Sequence, residues 1–156
     1  MFLDYKKGFT LIETLVYLAL FALIIGGLAA SAYMLFETSD RNQTKAMLQE
    51  EENFIMAKIL RAFDNAASAS VSGGGSTLTV TRHDFTSGVI DLSGTNVRLD
   101  GEVLNNSNVM VDDLSFVHSG GGAAPESVEI SLTVSARTPA GVSITQSAYT
   151  TRYIRK

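Results

Sequence analysis

Residues Thr14 to Phe36 read TLVYLALFALIIGGLAASAYMLF, 23 positions without a formal charge. As an α-helix rising 1.5 Å per residue, the stretch spans roughly 35 Å, enough to cross a bilayer core. Its apolar side chains would lie all round the helix, more than a domain of this size usually conceals, so the segment is expected to sit in lipid. Asp4, Lys6 and Lys7 precede it, whereas Glu37 and Asp40 follow before Arg41. The basic end stays cytoplasmic, which predicts a single-pass chain with its N-terminus inside and residues 37–156 on the other side. Ala30-Ser31-Ala32 offers a signal-peptidase pattern with cleavage before Tyr33. Against it, the apolar run ahead of that site is longer than a usual signal core and continues through Met34-Leu35-Phe36.

Working outward toward the N-terminus, Glu13 abuts the apolar run behind the uncharged Gly8-Phe9-Thr10-Leu11-Ile12. An acid in a membrane helix costs roughly 2.5 to 3.5 kcal/mol at the centre and less near the interface, so a plain anchor gains nothing from it. Lys6 and Lys7 are local partners for this charge. A second partner exists if the chain is cut between Gly8 and Phe9, because the new α-amino group of Phe9 is then a cation four positions before Glu13. Unit charges about 4 Å apart at an effective dielectric of 20 attract by about 4 kcal/mol before desolvation is counted.

Lys6-Lys7-Gly8-Phe9-Thr10-Leu11-Ile12-Glu13 followed by the apolar run resembles the class III signal of type IV prepilins and type II secretion pseudopilins. The resemblance implies that prepilin peptidase, recognising Lys6, Lys7, Gly8 and Phe9, cuts after Gly8, and that the Phe9 amine is then N-methylated. It also implies that Phe9 and Glu13 act in assembly, Glu13 docking the subunit against a neighbour's N-terminus in a filament. The implied partners are the peptidase and methyltransferase, other pilin or pseudopilin subunits, an assembly platform in the cytoplasmic membrane, and membrane lipid. The subunit would move from that membrane into a cell-surface or periplasmic filament. Many major pilins have a proline in mid-helix, where this chain has Ala30, and a C-terminal disulfide, which a chain without cysteine cannot form. The resemblance is therefore to the minor pilin or pseudopilin type.

Working toward the C-terminus, Leu48, Ile55, Ile59 and Phe63, with Met56 and Leu60 beside them, recur at spacings of three, four and seven. Asp40, Arg41, Lys45, Glu50, Glu51, Glu52, Lys58 and Arg61 take the remaining positions, which makes an amphipathic helix with one apolar stripe. No proline interrupts Phe9 to Ala67, so one helix is predicted over that span. Gly26-Gly27 is its weak point, serving either close packing or local melting on assembly. Glu50-Glu51-Glu52 points in three directions around a helix and reads as a solvated face. After Gly73-Gly74-Gly75 the period changes to two, in Ser76–Thr81, Asn96–Leu99, Val109 with Val111, Ser127–Ser135, and from Val142 to Ile154. Roughly six or seven short strands in an antiparallel sheet are expected, with the helix stripe as cover for one face. The fold class is α+β: a long N-terminal helix, half in membrane and half amphipathic, packed on a C-terminal antiparallel β-sheet, as the pilin resemblance also implies. The expected divisions are a leader at 1–8, a membrane and assembly helix at 9–36, an amphipathic continuation and linker at 37–72, and a sheet domain at 73–156.

Chemistry is sparse in that domain. His83 and His118 are the only histidines, no nucleophile or phosphate-binding motif occurs, and no enzyme, cofactor or metal site is predicted. Asp112-Asp113, with Asp100 and Glu102 near in sequence, lacks the ligand spacing of a calcium loop. Twelve basic against 16 acidic residues, a net charge of -4, disfavour specific nucleic-acid binding. Two sequons, Asn42-Gln43-Thr44 and Asn105-Asn106-Ser107, are of a kind common by chance. The functional expectation is a non-enzymatic filament subunit. The alternative is a membrane-anchored sheet domain that binds a peptide or glycan and never polymerises.

Mass spectrometry of membrane-extracted protein should find a 148-residue chain, the 156 residues less the eight of the leader, beginning at methylated Phe9. A mature N-terminus at Tyr33 would instead make Ala30-Ser31-Ala32 the operative site.

Overall fold

A computed structural model describes residues 10–121 and 124–154. The protein is α+β, a long N-terminal helix followed by antiparallel sheets. Helix α1 spans Leu11–Ala62. Thr10 caps it, its hydroxyl accepting from the Glu13 amide at 3.4 Å and its carbonyl from the same amide at 3.1 Å. Thr10-Leu11-Ile12-Glu13 thus has the spacing of a capping box. At the far end the last turn tightens through Phe63 N to Leu60 O (3.1 Å) and Asp64 N to Arg61 O (3.0 Å). Asn65 then takes a left-handed backbone (φ 65°), the conformation that commonly stops a helix.

The chain divides into two units, residues 1–39 and 40–156. In the first, the described part of α1 exposes its apolar side chains throughout, from Leu11 (81%) to Phe36 (72%). In the second, the same helix is amphipathic. Leu48, Ile55 and Ile59 are wholly buried, with Met56, Ala62 and Phe63 in the same core, so the stripe read from the spacing is the face that packs. Burying a side chain of that kind contributes about 1.5 to 3 kcal/mol.

Eight strands make two sheets. Strands β1 (Ala66–Ser72), β2 (Thr77–Arg82), β3 (Ser87–Ser93), β4 (Asn96–Leu99) and β5 (Glu102–Val103) form an antiparallel meander in chain order. Strands β6 (Met110–Gly121), β7 (Ala124–Arg137) and β8 (Ser143–Ile154) form a second. Gly94 (φ 64°) and the pair Asp100 (φ 53°) and Gly101 (φ 87°) supply the left-handed residues of the β3–β4 and β4–β5 turns. Alternation places Leu78, Val80, Ile90 and Val97 of the first sheet in the core with Leu114, Phe116, Val128, Ile130, Leu132 and Val134 of the second.

Two sequence expectations differ from this structure. The helix was expected to run to Ala67, with linker to residue 72, but it ends at Ala62 and residues 66–72 form β1. That strand is built of Ala, Ser and one Val, so it buries only Ala66 and Ala69 and carries almost no apolar alternation. The single expected sheet is two, because the β5–β6 connection turns through Asn105 instead of pairing. The Asn105 side chain is buried, accepting from Val97 N (2.9 Å) and donating to Val109 O (2.8 Å). That amide fixes the crossing from one sheet to the other, since a buried polar group stays only where it is bonded.

Ile59→Asp puts an unpaired carboxylate into the core and is expected to cost about 4 kcal/mol. Thermal unfolding of a fragment beginning at Glu37 measures it, and an unchanged midpoint would mean that the stripe does not hold the sheets.

Candidate functional site

The candidate site is the start of α1. Lys6, Lys7, Gly8 and Phe9 lie outside the described residues, so the cleavage point, the methylation point and the expected pairing of Phe9 with Glu13 rest on the sequence. Glu13 is described. It occupies the third position of α1, near the positive end of the helix dipole, and Tyr17 Oη donates to its Oε1 at 3.2 Å. The helix thus holds this residue at two points, its amide through the Thr10 cap and its carboxylate through a hydroxyl one turn on.

Beyond Glu13 the apolar surface runs unbroken. Gly26 and Gly27 are helical, and a Cβ added at either meets nothing within 4 Å. Ser31 Oγ donates back to the Gly27 carbonyl at 2.9 Å, which satisfies that hydroxyl within the helix. The 18-residue window of highest hydropathy in α1 is not buried at all inside the chain. By length and composition the helix can cross a membrane, and a carboxylate stands where its apolar stretch begins.

The other residues singled out in the sequence take mostly structural parts. Among the described residues no group of three or more His, Cys, Asp or Glu is placed to hold a metal ion. Asp100 Oδ1 accepts from Val89 N (2.8 Å), bracing the β3–β4–β5 turns, while Asp112 and Asp113 sit at a bulge of β6. Asp84 Oδ1 accepts from the Thr86 hydroxyl (2.6 Å) and amide (3.0 Å), and these two bonds hold its carboxyl below the usual range. His118 Nε2 lies 2.9 Å from Oε1 of the buried Glu126, which also receives the Ala69 amide at 3.4 Å, so the pair ties β1 to the second sheet. Asn105 of the second sequon is the buried amide already described, closed to a modifying enzyme.

Glu50-Glu51-Glu52 is not simply a solvated face. Glu50 is exposed, but Glu51 Oε1 accepts from the Asn106 amide at 2.6 Å and pins the β5–β6 loop to α1. Glu52 is half-buried, and its Oε2 is buried with no hydrogen-bond partner. Burial alone therefore pushes the Glu52 carboxyl above its ordinary value. Sequence periodicity marks which positions face the core, and this helix is too crowded with acids for it to separate these three. Two open clefts lie in the second unit. One of about 560 Å³ includes Asp64, His83 and Arg152 in its lining. The other, of about 640 Å³, includes Asp40, Met47 and Arg137.

Residues 3–29 match the family model of the prokaryotic N-terminal methylation motif, the class III prepilin signal. The match includes Lys6 to Glu13 and the first part of the apolar helix, and it supports a prepilin-processed protein of pilin or pseudopilin type. No curated protein and no solved structure matches the chain.

Glu52 yields a pH test whose sign is fixed. A carboxyl whose folded pKa is raised binds its proton more tightly in the native state, so stability falls as pH rises through the glutamate range. Glu52→Gln is expected to raise the thermal midpoint at pH 7, with the gain shrinking as pH falls through the raised folded value and its ionisation part lost below the ordinary glutamate value. A gain that is constant with pH would show that ionisation of Glu52 is not what destabilises the wild type.

Proposed function

With the N-terminal methylation motif in place at residues 3–29, we propose that the protein is a non-enzymatic filament subunit of the minor pilin or pseudopilin type. It is made as a precursor in the cytoplasmic membrane, with its N-terminus inside and residues 37–156 outside. Prepilin peptidase removes residues 1–8, Phe9 is methylated, and the subunit passes from lipid into a helical polymer through an assembly platform.

The observation that carries this reading is the described apolar half of α1, which the chain itself leaves uncovered and which opens on an ionisable residue. Lipid satisfies the apolar surface but not the carboxylate. A bundle of like helices satisfies both, because the Phe9 amine of one subunit supplies a cation for Glu13 of another. Packing supplies most of the association energy, and the ion pair sets register, since a buried pair offsets little beyond its own desolvation. Secretion, motility, DNA uptake and adhesion all use such subunits.

Two substitutions separate the roles open to Glu13. Glu13→Gln keeps the capping spacing, which glutamine also serves, and removes only the charge. Glu13→Leu removes both and lowers the insertion cost. In a filament subunit both variants are expected in the membrane at normal levels and to fall at least about tenfold in filaments sheared from cells, the loss of about 1.4 kcal/mol or more of docking energy. Normal incorporation of Glu13→Gln would reduce Glu13 to a helix cap. Wild type absent from every filament fraction would favour the anchored, non-polymerising module.

A further inference from the structure

The two sheets have four edge strands, and three of them are closed or blunted. Strand β5 is two residues long. Strand β1 carries a register break between Ala66 and Ser68, and its Ala69 amide donates to Glu126 of β7. Strand β6 breaks register twice, and its outer side abuts the first sheet: Val111 N donates to Thr95 O at 3.0 Å, and a Cβ on Gly75 would lie 3.4 Å from Phe116 O. Short edges, bulges and covering elements are the usual devices that keep a sheet edge from pairing with a foreign strand.

Strand β8 is neither short nor bulged, and only its C-terminal residues share a cleft with residues 63–66. It pairs with β7 in unbroken register from Ser143 opposite Arg137 to Ile154 opposite Glu126, and it ends the sheet, with no strand among the described residues on its other side. Twelve residues long, it contains no proline and no charge before Arg152, and it is rich in Ser, Thr, Tyr and Ile. Tyr149 and Tyr153 stand 65% exposed on the face turned away from the core. We propose that this edge is a docking site for an extended, acidic segment of a different protein, which adds a fourth strand beside β8.

Charge selects the occupant. All 16 acidic residues precede residue 130, whereas the last 14 residues hold Arg152, Arg155 and Lys156 and no acid. The chain is acidic overall, whereas the long edge left open among the described strands carries Arg152 and no acid. Arg152 also lines the cleft beside Asp64 and His83, where its guanidinium meets Asp64 only at 3.7 Å, with both side chains largely exposed. That cleft, at the C-terminal end of the edge, gives room for an acidic side chain of the added strand. A second copy of this chain fits poorly, because its acid-bearing edge β6 is covered and its own β8 has no acid. The edge lies wholly in the sheet domain, so its docking does not depend on filament assembly.

The test uses the full chain in detergent micelles and amide hydrogen exchange along 143–154. Three synthetic ten-residue peptides serve as probes: alternating Thr and Val ending in two glutamates, the same ending in two lysines, and the glutamate peptide with a central proline. The glutamate peptide is expected to protect alternate β8 amides and to bind about fivefold better than the lysine peptide at low salt, the proline peptide failing. Arg152→Glu should reverse the preference while leaving unliganded exchange in β7 unchanged. Absence of protection by any peptide, or equal binding of the glutamate and lysine peptides, would overturn the proposal. So would β8 protection that grows with the concentration of the protein alone, which would make a second copy the occupant.

Discussion

The constraint on which the rest depends is an apolar surface that the described residues leave unburied. Leu18, Phe21, Leu23, Leu28 and Leu35 are each more than 60% exposed, on a helix whose backbone is satisfied internally. Exposing a surface of this size to water is costly, and the described residues contain no second α-helix to cover it. Everything beyond Ser39 is accordingly built to be complete without it. The second unit closes its own core, in which α1 contributes the stripe from Leu48 to Ala62.

Within that unit, polar groups do the work of fixing geometry while apolar ones supply the energy. The Asn105 amide and the Glu51 contact to Asn106 hold the one connection that leads from the first sheet to the second. The Glu126 carboxylate spans from β7 to β1 and meets His118 on the way. Arg98 and Asp91, opposite each other on β4 and β3, pair across the outer face. Such buried or half-buried groups tolerate little displacement, because an unmade bond there costs more than a made one contributes.

The membrane helix, the stripe from Leu48 to Phe63 and the strands 127–135 and 143–154 were legible in the sequence because each depends on a period that side chains impose. Strand β1 was not, since Ala and Ser carry no alternation and the strand exists by pairing with β2. The boundary at Ala62 followed from Asn65 turning left-handed, a step open to asparagine that the proline-free run concealed. At the candidate site the sequence marked Glu13 but gave no sign that Thr10 and Tyr17 support it. The roles of Glu51 and Asn105 depend on a tertiary meeting of helix and loop, to which no local pattern points.

Both sheets are meanders in which each strand pairs with its sequence neighbour, so every hairpin can close as soon as its second strand is available. For a chain delivered N-terminus first, this orders events in time. The first sheet is complete by residue 103, but β7, whose Val128, Ile130, Leu132 and Val134 are wholly buried in the folded domain, lacks one neighbour until β8 arrives. A stalled or clipped chain that stops before Ser143 therefore displays a long aliphatic strand with one side unpaired. Until β8 pairs, that strand offers an open edge of the kind that recruits foreign strands.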